Sequence, residues 1–337
     1  MFRSLAAAVL LCLPLPALAA TPADPVAAVV EQLILPGFDR LQTSTAALDT
    51  AAQADCASES PALRAAYHDA FDAWVLVSHL RFGPTEADHR AFSLAFWPDT
   101  RGFTAKTLTG LLAAQDPAIN DPDSFAELSI AGRGFYGMEY LLYDDAFRDP
   151  PEYACALIRA TAHDMALTTG AIAEDWRDGY AQGMLEPGTD NSPYRDRDEV
   201  VQELYKAFTT GLQFTSDTRL GRPLGTFDRP RPKRAEAWRS GRSLRNVELS
   251  LKALREHGVL LAGDHPALVE ALNEGFDAAD EAASRIKDPA FGDLENASAW
   301  LRADLLRQSI DLIREQQSAN LGAALGVAAG FNALDGD

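Results

Sequence analysis

The sequence predicts an all-α fold of two related helical bundles with a cleft at their interface. Three observations carry that expectation. β-Branched residues are scattered, while Ala, Leu, Glu, Asp and Arg recur at helical spacing. Asp-Pro, Pro-Pro, Pro-Gly and Gly-Asp steps break the chain at intervals. Finally, Ala73-Trp74 followed by Leu80-Arg81 recurs as Ala237-Trp238 followed by Leu244-Arg245, each read on a helix in the middle of its half. The division is placed near residues 180 to 195, giving bundles of 20–185 and 186–337 after a leader of 1–19.

Each element follows in order. Met1-Phe2-Arg3 gives a positive end, Leu5 to Leu18 an apolar run, and Ala17-Leu18-Ala19 a small-x-small cleavage site. That is the layout of a secretory signal peptide, so a periplasmic location is expected. Cys12 could mark a lipid anchor, but Val9-Leu10-Leu11 lacks the small residue such signals place before it, so a free exported protein is the expectation. No later stretch approaches the ~20 continuous apolar residues of a membrane helix. Pro25-Val26 opens a helix that Pro36-Gly37 should kink and that ends before Asp55. Ser60-Pro61 is an N-cap with proline in the first turn, and that helix should stop at Gly83-Pro84. Further helices are expected at 104–115, 124–143, 151–179, 195–216, 233–257, 265–287 and 293–320. Leu220 to Pro232 is the longest irregular stretch. Two cysteines remain after the leader, Cys56 and Cys155, and an oxidising compartment makes their disulfide the expectation over two buried thiols.

The formal charge of -19 excludes nucleic acid and anionic lipid as partners of the surface as a whole. No HExxH, GxSxG, phosphate loop, GxGxxG or CxxCH motif occurs. Glu86-x-x-His89 has di-iron spacing but lies in a loop and lacks a second copy.

Several stretches could carry chemistry. In Gly134-Phe135-Tyr136-Gly137-Met138-Glu139-Tyr140-Leu141-Leu142, the stripe Leu128, Ala131, Phe135, Met138 and Leu142 faces the core. Glu139 leans toward it, with Tyr136 at i−3. A buried carboxylate needs a cation, hydrogen bonds or an ion pair, and a structural Arg pair is the plain alternative to a metal. His79 sits near a helix end beside Gly83-Pro84, where its ring could enter a cleft. His68, Asp72 and His79 share a face that could ligate iron, zinc or manganese, although His68 and Asp72 are read as solvated. In Phe96-Trp97-Pro98-Asp99, helix capping is the default role for Asp99 and support of the site the sharper one, with Arg81 and Arg101 as partners. In Glu236 to Asn246, the stripe Ala237, Gly241, Leu244, Val247, Leu251 and Leu254 packs. Beside it Ser243, Asn246 and Ser250 form a small polar strip suited to close helix approach, and Arg242 and Arg245 could orient Glu139 or hold an anion.

Taken together, these residues resemble the imelysin-like family. The 134–142 stretch resembles its GxHxxE-hydrophobic signature. Support comes from His79-Leu80-Arg81-Phe82-Gly83-Pro84, from Phe96-Trp97-Pro98-Asp99, from Trp238 to Asn246, and from the ending Gly330 to Asp337. The resemblance spans nearly the whole mature chain, with the motifs in order. It implies a link to bacterial iron uptake, a metal ion (iron) at the interface of the two bundles, and the family's old label of metallopeptidase. The implied ligands are Glu139, His79 and Tyr136, supported by Arg81, Trp97, Asp99, Arg242, Ser243 and Asn246. Here Tyr136 replaces the signature histidine, which argues against a hydrolytic metal centre. The expected role is therefore binding, with periplasmic or membrane-bound iron-uptake proteins as partners. A metal-dependent peptidase and a metal-free scaffold for uptake partners are the alternatives.

Overall fold

A computed structural model describes residues 24–327. The leader 1–19 and the 330–337 ending lie outside the described residues. Among those described there is no strand beyond one isolated bridge, Thr226 to Arg229, so the all-α expectation holds. No described helix is long and apolar enough to cross a membrane.

Local chemistry explains most helix ends. Asp24 caps the first helix by accepting from the Val26 and Ala27 amides at 2.9 and 3.3 Å. The helix runs Pro25–Val29, loosens into a π turn at Val30–Ile34, and continues as Leu35–Ala54. The loosened turn falls just ahead of Pro36, which has no amide to close the regular ladder. Ser60 caps Pro61–Val77, as expected, but this helix stops before Gly83, at Val77, where the Ser78 hydroxyl bonds back to the Val75 carbonyl at 3.0 Å. The helices Phe103–Ala114, Pro151–Asp175, Arg197–Gln213, Pro266–Ser284 and Ala297–Leu312 fall close to their expected places.

Two expectations are corrected. The continuous 124–143 helix is instead Pro122–Ala126 and Gly134–Tyr143. Arg133 is extended between them because its guanidinium is drawn to Asp164, at 2.6 and 3.0 Å, and to the Ala126 carbonyl. Gly134 then has φ +66°, and a Cβ there would sit on the carbonyls of Ser93 and Leu94. The 233–257 helix is instead Ser243–Ala262. Residues 235–242 are turns, with Ala237 (φ 46°) and Gly241 (φ 69°) both left-handed. The second Ala-Trp pair therefore lies in a loop, whereas Ala73-Trp74 lies in a helix.

In the first half, 35–54 packs on 61–77 and 151–175, and 134–143 packs on 151–175. In the second, 243–262 packs on 266–284 and 197–213, and 266–284 on 297–312. The halves meet where 61–77 crosses 243–262. Pro25–Val29 also reaches over to 243–262 and 197–213, so one continuous apolar core runs through both halves. Cys56 is bonded to Cys155, with Cα atoms 5.1 Å apart, tying the end of the 35–54 helix to 151–175. The bond spans a sequence separation of 99 residues, so the chain-entropy argument predicts that Cys155→Ser lowers unfolding stability by about 4–5 kcal/mol. Denaturant unfolding of the oxidised protein and the variant checks this. Two alkylatable thiols in the untreated protein would overturn the premise.

Candidate functional site

The turns at 235–242 fold over the outer face of the 134–143 helix and match it turn by turn. Glu236 accepts a short hydrogen bond from the Tyr136 hydroxyl. Ser240 donates its amide (2.9 Å) and its hydroxyl (2.8 Å) to one oxygen of Glu139. Arg239 reaches Asp144 at 3.1 Å, and its guanidinium lies 3.7 Å over the Tyr140 ring. Positions 136, 139, 140 and 144 follow the three- and four-residue spacing of one helix face, so a single curled segment serves all of them.

Three carboxylates at this seam are almost sealed from water: Glu139 and Glu236 are each 2% exposed and Asp72 is 5% exposed. Each must be compensated where it lies. Burial pushes the Glu139 carboxyl up, and the two Ser240 donors pull against that. Glu236 lies between Tyr136 and the buried guanidinium of Arg219. Burial would also raise Asp72, but Arg245 and Arg242 together hold it below the ordinary carboxylate range. Arg242 binds it at 2.5 Å and Arg245 at 2.8 Å. Arg242 also contacts His68 Nδ1 at 2.9 Å and stacks 4.7 Å over Phe71.

Beside this network is a cavity of about 400 Å3 between the halves. Trp74, Trp97, Phe92, Phe214 and Tyr136 supply aromatic wall; His79, Arg219 and Glu236 supply buried polar groups. Trp97 stacks on Tyr136 with centroids 6.2 Å apart. Gly211 lets the 197–213 helix approach closely, since a Cβ there would press on His79 and Leu254. Burial holds the Tyr136 phenol well above its usual range, and the Glu236 carboxylate adds to this, so Tyr136 stays protonated and donates. His79 Nε2 lies 3.1 Å from His257 Nδ1, and burial depresses both rings, His257 to about 3. His257 Nε2 has no partner. Placing the proton on His257 Nδ1 leaves only an acceptor unmet there, whereas the reverse would strand a buried N–H.

The sequence-predicted residues therefore divide. His79, Tyr136, Trp97 and Arg81 line the cavity, Arg81 while paired to Glu86. Glu139 does not line it, and is sealed by Ser240 rather than by an arginine. Asp99 takes its default role, capping the 103–114 helix through the amides of Arg101, Phe103 and Thr104 at 2.8 to 3.2 Å. Arg242 orients Asp72, not Glu139, and Asn246 accepts from Arg242 at 3.2 Å. Ser243 donates to the Glu236 carbonyl at 2.7 Å. His68 and Asp72 are not a solvated face: Asp72 is buried, and His68, half-buried, meets Tyr143 at 2.8 Å. Sequence reasoning missed Glu236, Arg219, Ser240 and His257. Only His257 left a signal, lying on the apolar stripe three residues after Leu254 and four before Leu261.

The family model described as Imelysin matches residues 34–319. Iron-regulated protein A of Synechococcus elongatus is 24% identical over 284 residues, covering 77% of this chain and 74% of that protein. An imelysin-like protein from Psychrobacter arcticum 273-4 has the same fold, with a TM-score of 0.74 at 17% identity over 91% of this chain and 96% of that one. A second solved chain, from Parabacteroides distasonis ATCC 8503, gives 0.65 at 15% identity over 90% and 97%.

Two outcomes follow from the seam. Arg242→Met leaves Asp72 buried with Arg245 alone and should cost about 3 kcal/mol of unfolding stability, while adding Asp72→Leu should recover part of it. A double-mutant cycle by urea denaturation measures this. Second, the native protein buries His68, His79 and His257 with depressed pKa values, His68 at about 4, so below pH ~6.5 the unfolded chain binds protons that the native state refuses. Stability should be full above that pH and fall as pH drops from 6.5 toward 4.5, with the raised Glu139 carboxyl opposing the fall. His257→Gln should flatten the slope of Tm against pH.

Proposed function

The chain belongs to the imelysin family, and on that premise we propose that it is an exported iron-handling protein that works by binding a ligand in the cavity between its halves, not by hydrolysis. The iron connection draws support from the relative named iron-regulated protein A. The observation that carries the binding reading is the cavity itself, whose aromatic walls of Trp74, Trp97 and Phe214 hold the nearly sealed Arg219 in their lining. The ligand this favours has an apolar or aromatic body for the Trp74, Trp97 and Phe214 walls and an acceptor oxygen for Arg219.

A bare metal ion does not fit these residues. Tyr136 keeps its proton and donates it in a hydrogen bond to one Glu236 oxygen, the other oxygen is paired to Arg219, and Arg219 adds a positive charge beside any cation. Glu139, which the family resemblance makes a ligand, does not line the cavity and accepts from Ser240 instead. Among the described residues no three His, Cys, Asp or Glu side chains group as a metal cluster. In this proposal iron enters through the chemistry of the ligand or of a partner rather than through direct coordination.

Anilinonaphthalene sulfonate, an aromatic body carrying an anionic acceptor, is the probe. It should bind the metal-stripped, natively folded protein one-to-one and quench tryptophan emission, and Thr210→Trp, which fills the cavity, should abolish both effects. In parallel titrations ferrous and ferric iron, zinc and manganese should show no stoichiometric binding. Stoichiometric iron binding lost in both His79→Ala and Tyr136→Phe would overturn the reading and restore direct coordination. Chelator-sensitive proteolysis would restore the peptidase.

A further inference from the structure

Residues 219–245 carry nine Lys or Arg against two acids, Asp228 and Glu236, in a chain whose acids outnumber its bases 49 to 30. Within the described residues, many surface arginines elsewhere find carboxylates, among them Arg148 with Glu59, Arg195 with Glu199, Arg255 with Asp277 and Arg285 with Glu281, while Arg40 and Arg101 stand unpaired but singly. Arg229, Arg231, Lys233 and Arg234 form no ion pair with any described residue. They are also held together. Thr226 and Arg229 close a turn at 2.8 Å, the Arg231 amide bonds the Pro223 carbonyl at 2.7 Å, and the Arg234 amide bonds the Arg231 carbonyl at 2.8 Å. Pro230 and Pro232 stiffen the chain on either side of Arg231. The Trp300 indole bonds the Leu224 carbonyl at 3.0 Å, and Phe227 packs edge-on against the Trp300 ring, so this loop is anchored.

Mutual repulsion lowers the pKa of Arg231, through Arg229 first and then, after burial, Arg234. The cluster flanks an open pocket of about 550 Å3 lined by Arg231, Lys233, Arg234 and Trp238, with Glu295 on the rim as the one carboxylate. We propose that this pocket is a binding site for a small multivalent oxyanion, a di- or tricarboxylate or a diphosphate. Three cations converge there beside an indole that is half-buried and already carries Arg239 at 4.5 Å. Guanidinium groups suit the planar oxygen pairs of carboxylate and phosphate. The overall charge selects for a small ligand. At physiological salt, charges more than ~8 Å away are screened, so a small anion responds to the local cations. An extended polyanion such as a membrane surface meets the rest of a chain of net charge -19. The site stands apart from the cavity reading, sharing none of its lining residues.

The test is calorimetric titration of the full mature chain at about 0.15 M ionic strength with citrate, inorganic pyrophosphate and acetate, with Trp238 emission as a local reporter. Citrate or pyrophosphate should bind one-to-one, at least about tenfold tighter than acetate. The stronger of the two tells carboxylate from phosphate. The triple variant Arg231→Gln, Lys233→Gln, Arg234→Gln should lose at least about tenfold in affinity with its melting temperature kept. Glu295→Gln should tighten binding, which a merely structural loop would not do, and Arg195→Gln should leave it unchanged. Absence of saturable binding by the natural chain, or binding that survives the triple variant, overturns the proposal. So does co-sedimentation with phosphatidylglycerol vesicles without binding of either anion, which would assign the patch to a membrane surface.

Discussion

Burial of carboxylates at the join between the two halves is the constraint on which the rest of this structure depends. Asp72 and Glu139 belong to the first half, and each is satisfied from the second, by Arg242 with Arg245 and by Ser240. Glu236 belongs to the second half and takes a donor from the first, Tyr136. Unlike Asp164, which the first half satisfies with its own Arg133, the acids of the seam are not fully met within either half, and an unpaired carboxylate in a dry interior costs far more than a helix contact returns. Correct docking of the halves and satisfaction of these groups are one event. The apolar core crossing the seam and Pro25–Val29 reaching over it add area, but the acids fix the register.

That constraint also explains why a cavity survives. A seam made only of leucine and alanine would close to crystal-like packing density. Here the hydrogen-bonding groups hold the helices at the separation their geometry demands, and the aromatic rings of Trp74, Trp97 and Phe214 stand around the remaining space. Tyr136 belongs to both systems: its ring stacks with Trp97 and its hydroxyl is fixed on Glu236. A histidine at 136 would be shorter and would leave Glu236 with Arg219 alone. The tyrosine thus makes the position a strut of the wall.

How much of this could be read from the sequence follows from the range of each interaction. Helices whose stripe and caps are local, such as Ser60 before Pro61–Val77, were legible, and so was the polar strip Ser243, Asn246 and Ser250, all buried on the 243–262 helix. The break at Arg133 was not, because the cause is Asp164 on another helix, 31 residues on. The turns at 235–242 read as helix because Ala237 and Trp238 suit one. Only contact with Tyr136 and Glu139 makes left-handed φ at Ala237 tolerable. Glu236 and Arg219 carried no periodic signature, since their partnership joins a turn to the loosened helical turn Phe214–Leu220 and not two positions on one shared helix face. Glu139 was legible as a buried acid, but its partner was not: a serine amide in a loop leaves no mark in sequence.

The distribution of arginine links the seam to the surface beside it. The chain concentrates cations in 219–245 although it is acidic overall. Arg219 and Arg242 are buried and taken up by Glu236 and Asp72, which accounts for their presence. The same account fails for Arg229, Arg231, Lys233 and Arg234, which lie outside the seam and form no ion pair, Arg231 being repelled by Arg229 and Arg234. Folding gains nothing from bringing them together, and two prolines and a network of main-chain bonds hold them so. An arrangement that structure does not require, kept rigid where flexibility would relieve it, points to a ligand of opposite charge.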